Sequence, residues 1–280
     1  MSVLEAGEDL GPLREFLRRE PVLNSVPLRI LSNAISSDAD RAATFIAIVE
    51  RADDIRAAAL RSDFPKMVVA AGGDPGELEE LARLVHARMP NLPCVLGRDV
   101  EVLAFRAEWE RQTGTPGTPG IPQRVHVLDR VEPQPDVPGR MEAAGEKDLE
   151  LVVDWSRAFA EEAHGSHHEP DEKDRQVAAR NIEAGAMFFW IDQGPVSMAA
   201  AREFGDGVAQ IGPVYTPPDR RRRGYGGALT ATATQRMLDQ ACTACTLFTD
   251  LRNATSNHIY REIGYKPVAD FHEFWFQPRS

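Results

Sequence analysis

Four consecutive arginines, Arg220 to Arg223, run straight into Gly224-Tyr225-Gly226-Gly227-Ala228 in a chain whose formal net charge is −11. The stretch before them, VAQIGPVYT, reads as a strand, and GALTATATQRMLDQ after them has a helical period, so the glycines mark a strand-to-helix turn. The first N–H groups of a helix have no partner within it. Gly224 and Gly226 clear side-chain bulk from that end, while the helix dipole and the guanidinium groups favour negative charge. The chemistry this offers is the grip of a diphosphate. A Walker loop is excluded because no Gly-Lys pair occurs there, and a dinucleotide fingerprint would need its third glycine where Leu229 stands.

Other reactive residue types form weaker patterns. Cys242-x-x-Cys245 has no second cysteine pair and no well-spaced histidines to complete a zinc site. With Cys94 the cysteine count is odd, which fits thiols in a reducing compartment rather than a disulfide framework. His164, His167 and His168 match no closed metal set, so no metal is expected. Glu161, Glu162 and Glu203 are able to serve as a general base, although carboxylates of this kind are more often solvated surface charges.

The turn needs a sheet to hold it. From Gly139 onward, EKDLELVVDWSRAFAEEA and DEKDRQVAARNIEAG read as helices, and AMFFWI-DQG-PVSMAAAREF as a hairpin turning at Asp192-Gln193-Gly194. Gly205-Asp206-Gly207 turns again ahead of the strand that feeds the arginines. LFTD is a further strand, NATSNHIYREIGY a short helix closing at Gly264, and KPVADFHEFWF a last strand. The expected unit is α/β (α+β): a mixed, mostly antiparallel sheet flanked by helices.

The first half follows a comparable order. A helix carries Leu10, Leu13, Phe16 and Leu17; PLRILSNAI, ATFIAIVER, DIRAAALRS and KMVVAAG then read as short strands. ELEELARLVHARM is a helix, PCVLG a strand, DVEVLAFRAEWERQ a helix and RVHVLDRV a strand, so this half reads as a diverged copy of the second. Its GGDPGELEE, at the place of the arginine turn, brings acids where a diphosphate needs cations. A chain of 280 residues favours two domains. Pro/Gly-rich stretches lie at Gly114 to Pro122 and Val131 to Gly139. The boundary is placed in the second, because RVHVLDRV completes the strand set of the first half: 1–136 as a non-catalytic domain and 137–280 as the catalytic one.

Arg221-x-x-Gly224-x-Gly226, between a strand and a helix, matches the signature Gln/Arg-x-x-Gly-x-Gly/Ala. Asn253, Ser256, Asn257 and Tyr260, followed by Gly264-Tyr265, stand in the order expected on the next strand and short helix. On these residues the second half resembles the GNAT superfamily of acyl-CoA N-acyltransferases; Arg222 stands where many members have glycine. The resemblance implies a tandem pair of GNAT folds with a degenerate first copy, and acetyl-CoA (coenzyme A) as co-substrate. It implies that Val214, Tyr215 and Thr216 bond the pantetheine arm through their main chain. Arg221, Arg222, Arg223, Gly224, Tyr225, Gly226, Gly227 and Ala228 would surround the diphosphate, and Asn253, Ser256 and Asn257 would lie along the cofactor. Tyr260 would point at the sulfur and protonate the leaving thiolate, a task suited to a phenol of pKa near 10. The reaction so implied is N-acetyl transfer by direct attack of a small-molecule amine. A non-catalytic acyl-CoA sensor is the alternative from another class.

The acidic balance predicts repulsion from nucleic acid and from anionic membranes, and mildly favours a cationic acceptor. No apolar run approaches the roughly 20 residues of a membrane helix, and the N-terminus lacks the pattern of an export signal, so a cytoplasmic protein is expected. The sequence carries no signal of oligomeric state.

Overall fold

The computed structural model describes residues 2–4, 8–62, 65–165, 171–204 and 206–276. After β1 (Ser2–Val3), α1 (Gly11–Arg18) buries Leu13, Phe16 and Leu17, and α2 (Ser25–Ser36) and α3 (Asp38–Ala43) follow. PLRILSNAI, expected as a strand, lies in α2. Its Leu28, Leu31 and Ala34 are buried at three-residue spacing, a helical stripe too short to stand out in nine residues. Pro27 sits in the first turn of that helix, where a missing N–H leaves no bond unmade.

β2 (Phe45–Arg51) and β3 (Asp54–Arg61) form a hairpin, followed by β4 (Lys66–Val69), α4 (Pro75–Arg88), β5 (Cys94–Arg98) and α5 (Asp99–Thr113). β6 (Thr118–Pro119) and β7 (Gln123–Leu128) end the first half. In the second half, β8 (Arg140–Ala143), which the sequence reading missed, precedes α6 (Leu149–His164) and α7 (Glu172–Glu183). Then come β9 (Met187–Ile191), β10 (Pro195–Glu203), β11 (Val208–Tyr215), α8 (Tyr225–Asp239), β12 (Ala244–Asp250), α9 (Ala254–Ile263) and β13 (Lys266–Trp275).

The strands join in one sheet, ordered β1-β2-β3-β4-β5-β13-β7-β12-β11-β10-β9-β8, with β6 beside β13. Pairing is antiparallel except β4 with β5 and β11 with β12, which occupy corresponding places in the two halves. The fold is thus mixed α/β with a mostly antiparallel sheet, built twice over.

The last strand of each half crosses to the other. β7 pairs with β12 of the second half, and β13 pairs with β5 of the first. RVHVLDRV therefore does not complete the first half's strand set, the reason given for the boundary; its place beside β5 is taken by β13. The two exchanged strands pair with each other at the centre of the sheet. Bonds along this seam are short and partly buried. Lys66 Nζ lies 2.5 Å from Glu273 Oε2, Glu273 Oε1 accepts the Ile121 N–H at 2.8 Å, and Arg124 clasps Asp270 through two bonds of 2.6 and 2.9 Å. No helix among the described residues is long and apolar enough to cross a membrane.

Candidate functional site

β11 and β12 pair for only three residues, Val208, Ala209 and Gln210 against Ala244, Cys245 and Thr246. Beyond Gln210 they part, because β12 follows β7 while β11 stays with β10, Val214 opposite Ala199 and Tyr215 opposite Met198. Pro213 has no N–H to hold the strands together. A cavity of about 1840 Å³ opens at the split. Of the expected site residues, Val214, Tyr215, Thr216, Arg221, Arg222, Gly224, Tyr225, Gly226, Gly227, Asn253, Ser256 and Tyr260 line it; Arg223, Ala228 and Asn257 do not.

The N-terminus of α8 opens onto this cavity. Gly224 stands at its cap with φ +82, a conformation that disfavours side chains, and no side chain caps the helix. The first turn closes with Ala228 N–H to Gly224 O at 2.9 Å, so the amides of Tyr225, Gly226 and Gly227 precede any intrahelical acceptor. A Cβ at Gly226 would stand 3.1 Å from Thr216 Oγ1, so the glycine also lets the helix end seat closely on the strand. Thr216 Oγ1 lies 2.9 Å from Ser197 Oγ, which donates to Tyr215 O at 3.0 Å. Arg222, at the position where glycine was noted as usual, has φ 62, the left-handed backbone that glycine adopts without strain.

The arginines are not equivalent. Arg221 Nε donates to Thr216 O at 2.8 Å, and its Nη2 meets Glu162 Oε2 at 2.6 Å. Tyr215 donates its hydroxyl to the same carboxylate at 3.4 Å; burial, and then the Glu162 charge, push its pKa up. Tyr225 is buried with its hydroxyl on Asp192, in the hairpin turn.

Across the cavity, Asn253 caps α9 by accepting the Ser256 N–H at 3.0 Å. Asn257 Nδ2 donates to Asp250 O and Asn253 O at 2.9 and 2.8 Å, fixing the junction of β12 and α9 from outside the cavity wall. Tyr260 lines the cavity. Burial pushes its phenol up to about 12, against the opposing pull of a hydrogen bond with Ser256.

The three candidate carboxylates separate. Glu203 Oε1 accepts the Asp206 and Gly207 N–H groups and closes the β10–β11 turn, and Glu161 pairs with Arg157 at 3.3 Å. Only Glu162 of the three lines the cavity. His167, His168 and Gly205 lie outside the described residues. Cys242 and Cys245 are buried free thiols, and burial pushes Cys245 up to about 12, which is the behaviour of packing residues.

The first half supplies an internal contrast. At the corresponding turn between β4 and α4, the Gly72 N–H is taken by Glu101 Oε1 at 3.3 Å, and the Ala71 N–H by Asn24 Oδ1 at 2.8 Å. Asp74 and Glu77 close the α4 end with a capping box. A Cβ at Gly97 would meet Val102 and Val69 at 3.2 and 3.3 Å, so protein fills the wedge beyond β4 and β5. The chain's own carboxylates stand where an anion would bind.

Among solved structures, the fold is similar to an acetyltransferase of the GNAT family from Colwellia psychrerythraea, with TM-score 0.60, 13% identity and coverage of 99% of this chain and 100% of that one. A Drosophila protein gives TM-score 0.67 at 14% identity over 98% and 97%. A tandem GNAT protein from the clavulanic acid biosynthesis pathway gives 0.53 at 12% over 99% and 98%. A comparison with curated protein sequences gives no significant match. The profile of the Acetyltransferase (GNAT) family matches residues 149–265, the segment that carries the split strands, the uncapped helix and Tyr260. Residues 149–265 thus match the GNAT acetyltransferase family, and the fold of the whole chain is similar to that of a tandem GNAT protein.

Proposed function

We propose that the chain is an N-acetyltransferase that moves the acetyl group of acetyl-CoA to a primary amine. The observation that carries this reading is the contrast between the two helix ends: α8 presents uncapped amides to a cavity at a strand split, while α4 is sealed by Asp74 and Glu77. Residues 137–280 act as the catalytic unit and 1–136 as a non-catalytic partner domain. The residues present fit the co-substrate. Amides of Tyr225 to Gly227, with Arg221 and Arg222 beside them, suit a diphosphate, and the unpaired edge of β11 at Val214 and Tyr215 suits an amide-bearing arm.

In the proposed reaction a neutral amine attacks the thioester carbon, the C–N bond forming as the C–S bond breaks. A β11 amide at Val214 or Tyr215 steadies the oxyanion. Tyr260 gives its proton to the departing thiolate and recovers one from solvent, which also takes the surplus proton of the amine nitrogen. A phenol near 12 is a fitting donor here because the same burial that raises it raises a thiol, as Cys245 illustrates. The free cysteines support a reducing, cytoplasmic site of action. The test is incubation with acetyl-CoA and an amine panel, following thiol release and product mass. Acceptor-dependent release supports the enzyme; binding of acetyl-CoA with no release for any amine would make the protein an acyl-CoA sensor.

A further inference from the structure

The cavity at the split is lined by residues of both halves, and two of its arginines are set apart from the rest. Arg29, on α2 of the first half, and Arg202, at the end of β10 in the second, both line it. Arg202 lies opposite Gln210, the last β11 residue paired with β12. Six residues of strand, about 20 Å at 3.3 Å each, separate Gln210 from Thr216 beside the diphosphate cradle. The two arginines therefore stand farther from the cradle than Val214 and Tyr215, on the side of the thioester from which an acceptor would extend.

Both are without a carboxylate among the described residues, in contrast to Arg157, Arg180 and Arg221 around the same cavity, which pair with Glu161, Asp40 and Glu162. Arg29 is flanked on α2 by the buried Leu28 and Ile30, and Arg202 lies 5.3 Å over the Phe204 ring. Burial, and then the charge of Arg202, push the pKa of Arg29 down, so Arg29 feels Arg202 as a like charge. Two like charges from different halves, turned into one cavity without an ion pair among the described residues, would be stabilised by an anion that joins them. Guanidinium pairs favour a carboxylate, which they hold through paired hydrogen bonds.

We propose that Arg29 and Arg202 form a subsite for a substrate carboxylate in the part of the cavity beyond Val214 and Tyr215, making the preferred acceptor an amine that also carries a carboxylate, such as an amino acid. The proposal rests on the acyltransferase reading. The first half, inert toward the diphosphate, thereby contributes to acceptor choice through Arg29. The carboxylate can come from the acceptor or from the acyl chain, and the local charge pattern opposes the cationic acceptor that the overall net charge favours.

The experiment compares glycine with glycinamide as acceptors for acetyl-CoA, and succinyl-CoA with acetyl-CoA as donors to a neutral amine. A carboxylate on the acceptor should raise kcat/KM at least tenfold over its amide; a carboxylate on the acyl chain would instead show as a succinyl preference. Arg202→Met should cut the preference severalfold more than it changes the rate with the uncharged partner, with Arg202→Lys restoring part of it. Arg29→Met should do the same, and Arg202, at a half-exposed strand end, keeps the test valid if the Arg29 variant misfolds. Turnover with equal use of acid and amide, and of both donors, overturns the subsite and leaves the acyltransferase standing. If acetyl-CoA binds but no amine reacts, the coenzyme A complex is titrated with succinate and succinamide, and equal binding overturns the subsite. Failure to bind acetyl-CoA at all refutes the acyltransferase reading itself.

Discussion

Arg221 and Glu162 meet at 2.6 Å, one from the loop that leads into α8 and the other from α6, and both line the cavity. To reach a diphosphate, Arg221 has to leave this partner. Ion pairs this exposed are worth about 0.2–1 kcal/mol. Glu162→Gln should therefore tighten coenzyme A binding by up to about fivefold, whereas Arg221→Ala should weaken it by about tenfold or more. Calorimetry decides; unchanged affinity in both variants removes Arg221 from the cradle.

Tyr260→Phe should lower kcat by about a hundredfold while the Kd for coenzyme A stays within about twofold. With its pKa pushed up to about 12, the phenol remains protonated where an ordinary tyrosine would begin to ionise, so kcat should show no alkaline loss from this group near pH 10. The linkage has the matching sign. A raised folded-state pKa gives a contribution present in full below the ordinary value of about 10 and lost as pH climbs towards 12. A kcat profile falling with a midpoint near 10 would argue against Tyr260 as the acid.

Coenzyme A should bind with a stoichiometry of one per chain. The α4 end is closed by Asp74 and Glu77, and Glu101 holds the Gly72 amide. Asp74→Ala should lower stability by about 1 kcal/mol through the lost cap and add no second site. Two bound equivalents in the wild-type protein contradict the sealed-turn account.

Glu108 gives a pH test in the first half. Arg111 and then Arg83 hold its carboxyl down at about 2. The stabilisation is present above the ordinary value of 4.5 and lost as pH falls towards about 2. Glu108→Gln should melt below the wild type at pH 7, and the gap should close progressively between pH 4.5 and 2. A gap of constant size across that range assigns the effect to packing instead.

The second half was the more legible part. Periodicity and turn residues located its helices, the β9–β10 hairpin and the strand-to-helix turn, because each is written in neighbouring residues. The arginine turn lies at the cavity for the same reason. What the sequence did not reveal depends on distant contacts. Ser197 reaches Thr216 only because β10 and β11 pair, and Arg29 and Arg202 face the same space only because both halves line one cavity. Glu203 looked able to act as a base, yet three residues downstream its own chain offers two amides to bind it. The α2 segment was misread because five apolar residues in nine, Leu28, Ile30, Leu31, Ala34 and Ile35, fit both periods.

The exchange of β7 and β13 ties the order of synthesis to the order of assembly. β5 acquires its second neighbour only from Phe271–Trp275, which are translated after every other strand of the second half, so a nascent first half must wait with that sheet edge open until β13 emerges. A gene fragment starting at residue 137 would be stranded in the complementary way, with Phe248 and Thr249 lacking Val125 and Arg124 beside them. The halves are thus bound to be inherited and translated together, whatever activity resides in only one of them.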